Sequence, residues 1–169
     1  MTEGGPYNES RPIDDTRVMV CAEEDTLNRA AQLMWEFDCG CIPVITVNGN
    51  GRLIGVVTDR DIAMSAYTQG KPLSAIPVST AMAHEVIACH AGDSIEQAEK
   101  LMRDNRVRRL PVLDEEGHVI GILSLNDAVR EAQREAAAGK RAEVTGEGVL
   151  QTMASLCEPR SPQEIVLAS

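Results

Sequence analysis

The pattern Gly-hydrophobic-hydrophobic-Thr/Ser-x-x-Asp occurs twice in the sequence, once with Thr58 and Asp61 and once with Ser124 and Asp127. A hydroxyl at a helix start lies beside free backbone N–H groups and a partial positive charge, which together suit a phosphate. The hydroxyl can donate to a phosphate oxygen, and the carboxylate one turn later can accept hydrogen bonds from both hydroxyls of a ribose. The glycine of each pattern leaves room for a flat base near the backbone. The spacing is therefore compatible with nucleotide binding at two places.

The same spacing also has a purely structural interpretation. A Ser or Thr followed three residues later by an acidic residue can form a capping box, in which each side chain bonds the backbone N–H of the other residue. For either pattern alone, this interpretation has more weight than ligand binding. The choice between the two depends on what surrounds the patterns.

Both patterns belong to an internal repeat. The segment VMVCAEEDTLNRAAQLM, which starts at Val18, aligns with VIACHAGDSIEQAEKLM, which starts at Val86, 68 positions later. The alignment continues beyond a turn that is two residues longer in the first copy, and it pairs Asp61 with Asp127. Self-similarity of this kind indicates two copies of one supersecondary unit.

Each copy is predicted to have the element order β-α-β-β-α, which gives an α/β (α+β) fold with two repeats. Apolar residues at helical spacing predict helices that begin at Asp25-Thr26 and Asp93-Ser94 and end near Phe37 and Asn105. Glu96, three residues after Asp93, predicts a cap on the second of these helices. Strands are predicted at 18–21, 42–47 and 53–58, and at 86–88, 110–113 and 119–124.

The repeat boundaries divide the chain into five segments. They are a flexible N-terminus at 1–14, the first repeat at 15–69, a linker at 70–83, the second repeat at 84–137, and a tail at 138–169 with a helix from Val149 to Leu156. No apolar run approaches the roughly 20 residues that span a bilayer, and the first ten residues lack the apolar region of a secretory signal. We therefore expect a cytoplasmic protein, without a membrane partner, whose cysteines are reduced.

The composition restricts the partners further. The formal net charge of −10 and the pI of about 4.7 disfavour binding to nucleic acid polymers, whose phosphates a field of this sign repels. Aromatic residues make up 2% of the chain, which argues against a stacking surface for single strands. A single nucleotide is still compatible with this charge, because a few local cations can hold one anion.

The combination of repeat and pattern resembles a stand-alone tandem pair of CBS domains over roughly residues 15 to 135. Each unit has a strand that starts with a Pro-Val pair, at Ile42-Pro43-Val44 and at Leu110-Pro111-Val112, followed by an intact pattern. The resemblance implies that the two repeats pack about a pseudo-twofold axis and form two clefts. The implied ligand is AMP, ADP or ATP, with S-adenosylmethionine or NAD as further candidates. A homodimer without catalytic activity is also implied.

The resemblance assigns roles to individual positions. Thr58 and Ser124 would hold phosphate, and Asp61 and Asp127 would hold ribose. The base would lie against backbone and apolar groups near Ile42, Pro43, Leu110 and Pro111. The sequence shows no P-loop, no Gly-x-Gly-x-x-Gly and no nucleophile–base arrangement, so we expect no enzyme activity.

Basic residues are distributed unequally between the two copies. Arg103, Arg106, Arg108 and Arg109 precede the Pro111 strand, whereas the first copy has no basic residue at the equivalent positions and offers only Arg60. Arginines at a helix C-terminus also favour the helix dipole, so part of this cluster has a structural explanation. We expect two unequal clefts, of which the second binds phosphate more tightly.

Two alternative functions compete with ligand sensing. In the first, the patterns are only capping boxes and the tail helix docks an unknown effector protein. In the second, Cys39, Cys41 and Cys157 act as a thiol or metal sensor. His84, His90 and His118 are not set at ligand spacing, and no metal site is predicted.

Overall fold

The two sequence repeats form two three-stranded sheets of the same topology, which confirms the predicted fold class. The computed structural model describes residues 18–47, 51–138 and 145–158, so the predicted flexible N-terminus and the end of the tail lie outside the described residues. The first copy consists of β1 (Cys21–Ala22), α1 (Leu27–Glu36), β2 (Cys41–Ile45), β3 (Leu53–Thr58) and α2 (Asp59–Gln69). The second consists of β4 (Cys89–His90), α3 (Ile95–Asn105), β5 (Arg109–Leu113), β6 (Val119–Ser124) and α4 (Leu125–Ala138). A further helix, α5 (Gly146–Cys157), follows.

Each sheet pairs a short parallel strand with an antiparallel hairpin. Cys21 lies opposite Val44 in the first sheet, and Cys89 lies opposite Val112 in the second. The register places Thr58 opposite Cys41 and Ser124 opposite Arg109, so each patterned hydroxyl stands beside the first residue of the neighbouring strand. Both hairpins also have a register shift at the same place, between positions 44 and 45 and between 112 and 113.

The first strand of each copy is short and lies later than predicted: β1 overlaps the predicted range 18–21 only at Cys21, and β4 begins just after the predicted range 86–88. A turn follows each strand directly. The Asp25 carboxylate accepts a hydrogen bond from the Ala22 N–H at 2.8 Å, and the Asp93 carboxylate accepts one from the His90 N–H at 2.7 Å. These side chains therefore fix the turn rather than the helix start. The predicted cap between Asp93 and Glu96 is wrong by one position, because the capping box of α3 is formed by Ser94 and Gln97.

The segment between the copies is built into the first copy. Ile76 and Val78 are fully buried in the first core, and the Ala83 backbone pairs with Val56 of β3 in an antiparallel bridge. The Val78 N–H also donates to the Asp25 carbonyl at 2.7 Å. The end of the linker is thus hydrogen-bonded to the sheet of the first copy.

The tail helix α5 packs on the helices of the second copy. Val149 is buried with Ala128, and Ile95, Val129 and Ala132 pack around them. The predicted helix in the tail is confirmed and begins three residues earlier, because the Thr145 hydroxyl accepts a hydrogen bond from the Gly148 N–H at 3.0 Å. In the described part of the chain, no helix is long and apolar enough to cross a membrane.

Candidate functional site

Both patterned segments form a complete capping box at a strand-to-helix junction. Asp61 accepts a hydrogen bond from the Thr58 N–H at 2.8 Å, and the Thr58 hydroxyl accepts one from the Asp61 N–H at 3.3 Å. The distances for Ser124 and Asp127 are 2.9 Å and 3.3 Å. Each hydroxyl also donates to its carboxylate, at 2.6 Å in the first copy and 2.5 Å in the second. Both pairs therefore cap their helices, as the structural interpretation of the spacing predicted. The capping bonds use Oδ2 of each aspartate and leave Oδ1 available for other contacts.

A cavity of about 380 Å³ is lined by Ser124 and Asp127 of the second pattern and by further residues from both copies. Asp38, Cys39 and Cys41 line it from the first copy, and Arg108, Arg109, Ile122, Ser124, Leu125, Asn126, Asp127 and Arg130 line it from the second. Four of the predicted site residues thus come together in one cleft. This is the size of a small-molecule pocket.

The cleft has a local excess of positive charge in an acidic protein. Three guanidiniums line it, from Arg108, Arg109 and Arg130, against the carboxylates of Asp38 and Asp127. Guanidinium groups bind phosphate with paired, charge-assisted hydrogen bonds. The arrangement suits an anionic ligand that also offers hydroxyls to Asp127.

Arg130 is a site residue that the sequence did not single out. Its Nη1 lies 3.6 Å from Asp127 Oδ1, which is the carboxylate oxygen not used in the capping box. A signal for it exists in the sequence, because a residue three positions after Asp127 on a helix lies on the same face. A ligand that bonds Asp127 would therefore also lie within reach of this guanidinium.

Arg109 extends toward the first copy. One of its terminal nitrogens lies 3.4 Å from the place that a Gly40 Cβ would occupy, and an Asp59 carboxylate oxygen lies 3.0 Å from the same place. Gly40 therefore leaves space for a guanidinium and a carboxylate from different copies. A side chain at position 40 would come within 3.4 Å of both groups.

The four predicted arginines divide between two places. Arg108 and Arg109 line the cleft, whereas Arg106 contacts the tail, with its Nη2 3.3 Å from a Glu158 carboxylate oxygen. The Arg103 carbonyl accepts a hydrogen bond from the Ser155 hydroxyl of α5 at 3.1 Å. Arg106 thus contacts the tail through its side chain, and Arg103 contacts it through its backbone carbonyl.

The first pattern has different surroundings. Thr58, Arg60 and Asp61 do not line this cavity. A Cβ at Gly55 would lie 2.5 Å from Met82 Sδ and 3.0 Å from the Ala83 carbonyl oxygen. The space that the sequence assigned to a flat base at Gly55 is therefore filled by Met82, which comes from the segment between the copies.

The strands that contain Pro43 and Pro111, β2 and β5, contribute less to the cavity wall than the resemblance implied. Ile42, Pro43 and Leu110 are fully buried in the cores, and Pro111 is also buried. The apolar part of the wall consists instead of Ile122 and Leu125, which flank Ser124.

The two thiols in the cleft are held in their neutral form. Burial raises the pKa of Cys41 to about 11, against the opposing effect of the Arg109 charge. Burial also raises the pKa of Cys39. Since the thiolate is the reactive form, both groups are weak nucleophiles and weak metal ligands at neutral pH.

Asp114, Glu116 and His118 form a compact group of metal-ligating types in the turn of the second hairpin. One Asp114 oxygen accepts the N–H groups of Glu116 and His118, at 3.0 Å and 2.7 Å, and the other lies 3.0 Å from His118 Nδ1. The His118 N–H bond is the main reason that the pKa of Asp114 is lowered. These bonds explain the group as a stabilised turn.

Comparison with known proteins shows which family the chain matches. The family model described as CBS domain matches twice, at residues 11–66 and 76–134. The CBS domain-containing protein YhcV of Bacillus subtilis is 37% identical over 123 residues, which cover 72% of this chain and 84% of that protein. Several other curated relatives are longer, and the match spans less than half of their length.

Solved structures of CBS domains have the same fold. The structure described as CBS domain, NE2398, is 31% identical, with a TM-score of 0.62, and the match covers 70% of this chain and 90% of that one. The structure of CBSX2 in complex with AMP is 28% identical, with a TM-score of 0.61 and the same two coverages.

Proposed function

The chain belongs to the CBS-domain family, and on that premise we propose that it is a non-catalytic regulatory module that binds an adenine nucleotide between its two repeats. The observation that carries the proposal is the cleft in which Ser124, Asp127 and the pair Arg108 and Arg109 meet. The AMP complex of CBSX2 supports the ligand class, because that protein has the same fold at 28% identity.

The proposed ligand position follows from the chemistry of the cleft wall. Phosphate would lie at the N-terminus of α4, between the Ser124 hydroxyl and the guanidiniums of Arg108 and Arg109. Ribose hydroxyls would donate to Asp127, and the base would contact Ile122. AMP, ADP and ATP are the first candidates, and S-adenosylmethionine and NAD are retained because they share the adenosine group.

We also propose that the two repeats bind unequally. In the second copy, the described neighbours of a Cβ at Gly121 are Val112 atoms at 3.5 Å, which is ordinary contact, whereas Gly55 is covered by Met82. The second cleft also has the arginines. The Asp127 site is therefore proposed as the stronger site.

A protein-interaction module without a ligand is the second candidate. The completeness of both capping boxes favours it, because each hydroxyl and carboxylate already has a structural role. The tail helix and the exposed apolar residues of α1 and α2 offer surfaces for a partner, including the homodimer that we propose for this chain.

The decisive experiment is isothermal titration of the full chain with AMP, ADP, ATP, S-adenosylmethionine and NAD. Asp127→Asn keeps the size of the side chain but removes its charge, and Asp61→Asn is the matched control in the other repeat. We expect Asp127→Asn to weaken binding by about tenfold or more, because a hydrogen bond to a charged group is lost. Asp61→Asn is expected to change the strong site by less than about threefold.

Thermal unfolding of the two variants provides the folding control, since each changes the acidic residue of an equivalent capping box. Equal losses of affinity in the two variants would contradict the unequal sites. No heat with any of the five ligands, from protein free of co-purified nucleotide, would refute nucleotide binding and favour the interaction module.

A further inference from the structure

A further cavity, of about 410 Å³, lies between α3 and the beginning of α5, and we name it the α3–α5 cavity. Residues of α3 form one wall, and residues between 145 and 151 form the other. The CBS matches end at residue 134, so the second wall belongs to the part of the chain that follows the matched repeats. The cavity shares no lining residue with the Asp127 cleft, and its volume is that of a pocket for a small molecule.

Glu99 lines the α3–α5 cavity and is a buried acid. It is 5% exposed, and its Oε1 is buried without a hydrogen-bond partner. A buried polar atom without a partner is costly, and native proteins normally satisfy such atoms with protein groups, water or a ligand. The unpaired oxygen beside a cavity therefore indicates that a hydrogen-bond donor binds there.

The neighbouring cations do not supply this donor. Lys100 and Arg103 line the same cavity, but neither forms an ion pair with Glu99 in the part of the chain that the structure describes. The Arg103 Nε lies instead 4.0 Å from an Asp104 carboxylate oxygen. The carboxylate and the two cations thus lie around a shared space without neutralising one another.

The charged side chains around this space have both signs. Glu96, Glu99, Lys100 and Arg103 have the spacing of one face of α3, and Glu147 faces them from α5. A simple cation would be repelled by the lysine and the arginine, and a simple anion would be repelled by the three glutamates. A small zwitterion matches both sets, because its ammonium group pairs with carboxylates and its carboxylate pairs with cations.

A single metal ion does not fit the glutamates of this cavity. Among the described residues, the group of metal-ligating side chains whose ligand atoms all lie within 4.8 Å of one another is that of Asp114, Glu116 and His118. The glutamates of the α3–α5 cavity do not form such a group, so their oxygens are too far apart to surround one ion.

Gly148 allows Glu99 to lie against the first turn of α5. A Cβ at this position would lie 3.0 Å from Glu99 Oε2 and 3.2 Å from the Thr145 hydroxyl oxygen, which is closer than ordinary contact. The Gly148 N–H donates to the same hydroxyl at 3.0 Å. The absence of a side chain at position 148 thus keeps the wall next to Glu99 open.

We propose that the α3–α5 cavity is a second ligand site and that it binds a free α-amino acid. The ammonium group donates to Glu99, and the carboxylate lies at Lys100 and Arg103. An α-amino acid has both groups on one carbon, as adjacent partners on a single helix face require. The proposal goes beyond the nucleotide site and does not depend on it.

Binding at this site has two structural effects. The ligand contacts α3 and α5 together, so it stabilises the docked position of the tail helix. Burial raises the pKa of Glu99, and a bound ammonium group has the opposite effect because it stabilises the ionised carboxylate.

Thermal unfolding of the full chain tests the ligand class, because a ligand of the folded state raises the melting temperature. The probes are the standard L-amino acids, each at about 10 mM, which detects dissociation constants in the millimolar range. Ethylamine and acetate, at the same concentration, represent the ammonium group and the carboxylate alone. We expect a saturable rise with at least one amino acid and none with the two half-ligands. No rise with any amino acid would overturn the proposal, and an equal rise with ethylamine would indicate a simple cation site instead.

Substitutions test the position of the site. Glu99→Gln and Lys100→Gln are the test variants, and Glu85→Gln and Lys71→Gln are matched controls at exposed positions outside the cavity. Calorimetric titration uses the amino acid that gives the largest rise in melting temperature. We expect each test variant to bind at least about tenfold more weakly and each control to bind within about threefold of the wild type. Wild-type affinity in Glu99→Gln would overturn the proposal.

Asp127→Asn separates this site from the nucleotide cleft. We expect it to retain the amino-acid affinity, because Asp127 does not line the α3–α5 cavity, and we expect Glu99→Gln to retain the affinity for AMP. Amino-acid binding that is lost in Asp127→Asn and retained in Glu99→Gln would place the ligand in the cleft and overturn the proposal. Amino-acid binding by a wild type that binds no nucleotide would refute the nucleotide site alone.

Discussion

At the scale of single residues, the equivalent glycines Gly55 and Gly121 have different neighbours: a Cβ at Gly55 would lie 2.5 Å from Met82 Sδ, whereas one at Gly121 would lie 3.5 Å from Val112 atoms. Ser124, Asp127, Arg108 and Arg109 were predicted from one repeated pattern and one basic cluster, and the structure brings them together. Each glycine of the repeated pattern was also expected to leave room for a flat base, but Met82 fills that space at Gly55. The contact of Met82 with Gly55 depends on the path of the linker between the copies. No local sequence pattern predicts that path.

The glycines provide a matched pair for testing this difference. Gly55→Ala is expected to destabilise the protein by about 1–3 kcal/mol, because its Cβ would lie 3.0 Å from a backbone oxygen as well as against Met82. Gly121→Ala is expected to cost less than about 1 kcal/mol, since its nearest described neighbours lie at 3.5 Å. Urea unfolding followed by circular dichroism measures both. Equal losses of unfolding free energy in the two variants would show that Met82 moves away from the added methyl group without cost.

The neutral thiols of the cleft give a second prediction at this scale. At pH 7.5, iodoacetamide is expected to modify exposed Cys157 at least tenfold faster than Cys41, because burial raises the pKa of Cys41 to about 11. The rate at Cys41 is expected to increase as the pH approaches that value. Mass spectrometry of peptides resolves the sites. Rapid modification of Cys41 at pH 7.5 would support the thiol sensor instead.

At the scale of elements, the order and type of the helices and strands followed from hydrophobic spacing, and their ends did not. The predicted cap at Asp93 and Glu96 failed by one residue because several polar residues stand at the helix start. Asp93 bonds the turn, and Ser94 is then the residue with extended backbone at the helix start. The helix in the tail was predicted, but its docking on α3 was not, because that contact depends on tertiary packing.

Docking of α5 buries an acidic residue, and this predicts a pH dependence. Glu99 on α3 is 5% exposed, one of its oxygens makes no hydrogen bond, and the other lies 3.0 Å from the place of a Gly148 Cβ. Burial raises the pKa of Glu99 above its usual value. The folded protein therefore favours the neutral acid, and stability is lost as the pH rises from the unfolded value through the folded one.

Glu99→Gln removes the buried charge and tests this prediction. We expect the melting temperature at pH 7 to rise by about 2–4 °C, which corresponds to about 1 kcal/mol for a protein of this size. The change between pH 7 and pH 5 is expected to become smaller, since the wild type gains stability as Glu99 takes up a proton. Glu85→Gln, at an exposed position, is the control. A lower melting temperature for Glu99→Gln at pH 7 would contradict the explanation.

At the scale of the whole molecule, the internal repeat predicted two similar units, and the comparisons confirm a CBS pair. The repeat could not predict that Asp38, Cys39 and Cys41 of the first unit complete the cleft of the second. That cleft depends on the relative placement of the units, and one sequence contains no local signal for it. The packing of α5 on the helices of the second copy makes the two units unequal, and it likewise depends on tertiary contacts.

The bridge between Val56 and Ala83 has a consequence for synthesis on the ribosome. The first sheet acquires a partner from the end of the linker, and Ile76 and Val78 complete its core. A nascent chain that has emerged only as far as the end of α2 lacks these side chains and cannot bury its first core fully. We therefore expect the first repeat to complete its fold only after the polypeptide has left the exit tunnel through Ala83, so that the second repeat follows a segment already hydrogen-bonded to the first sheet.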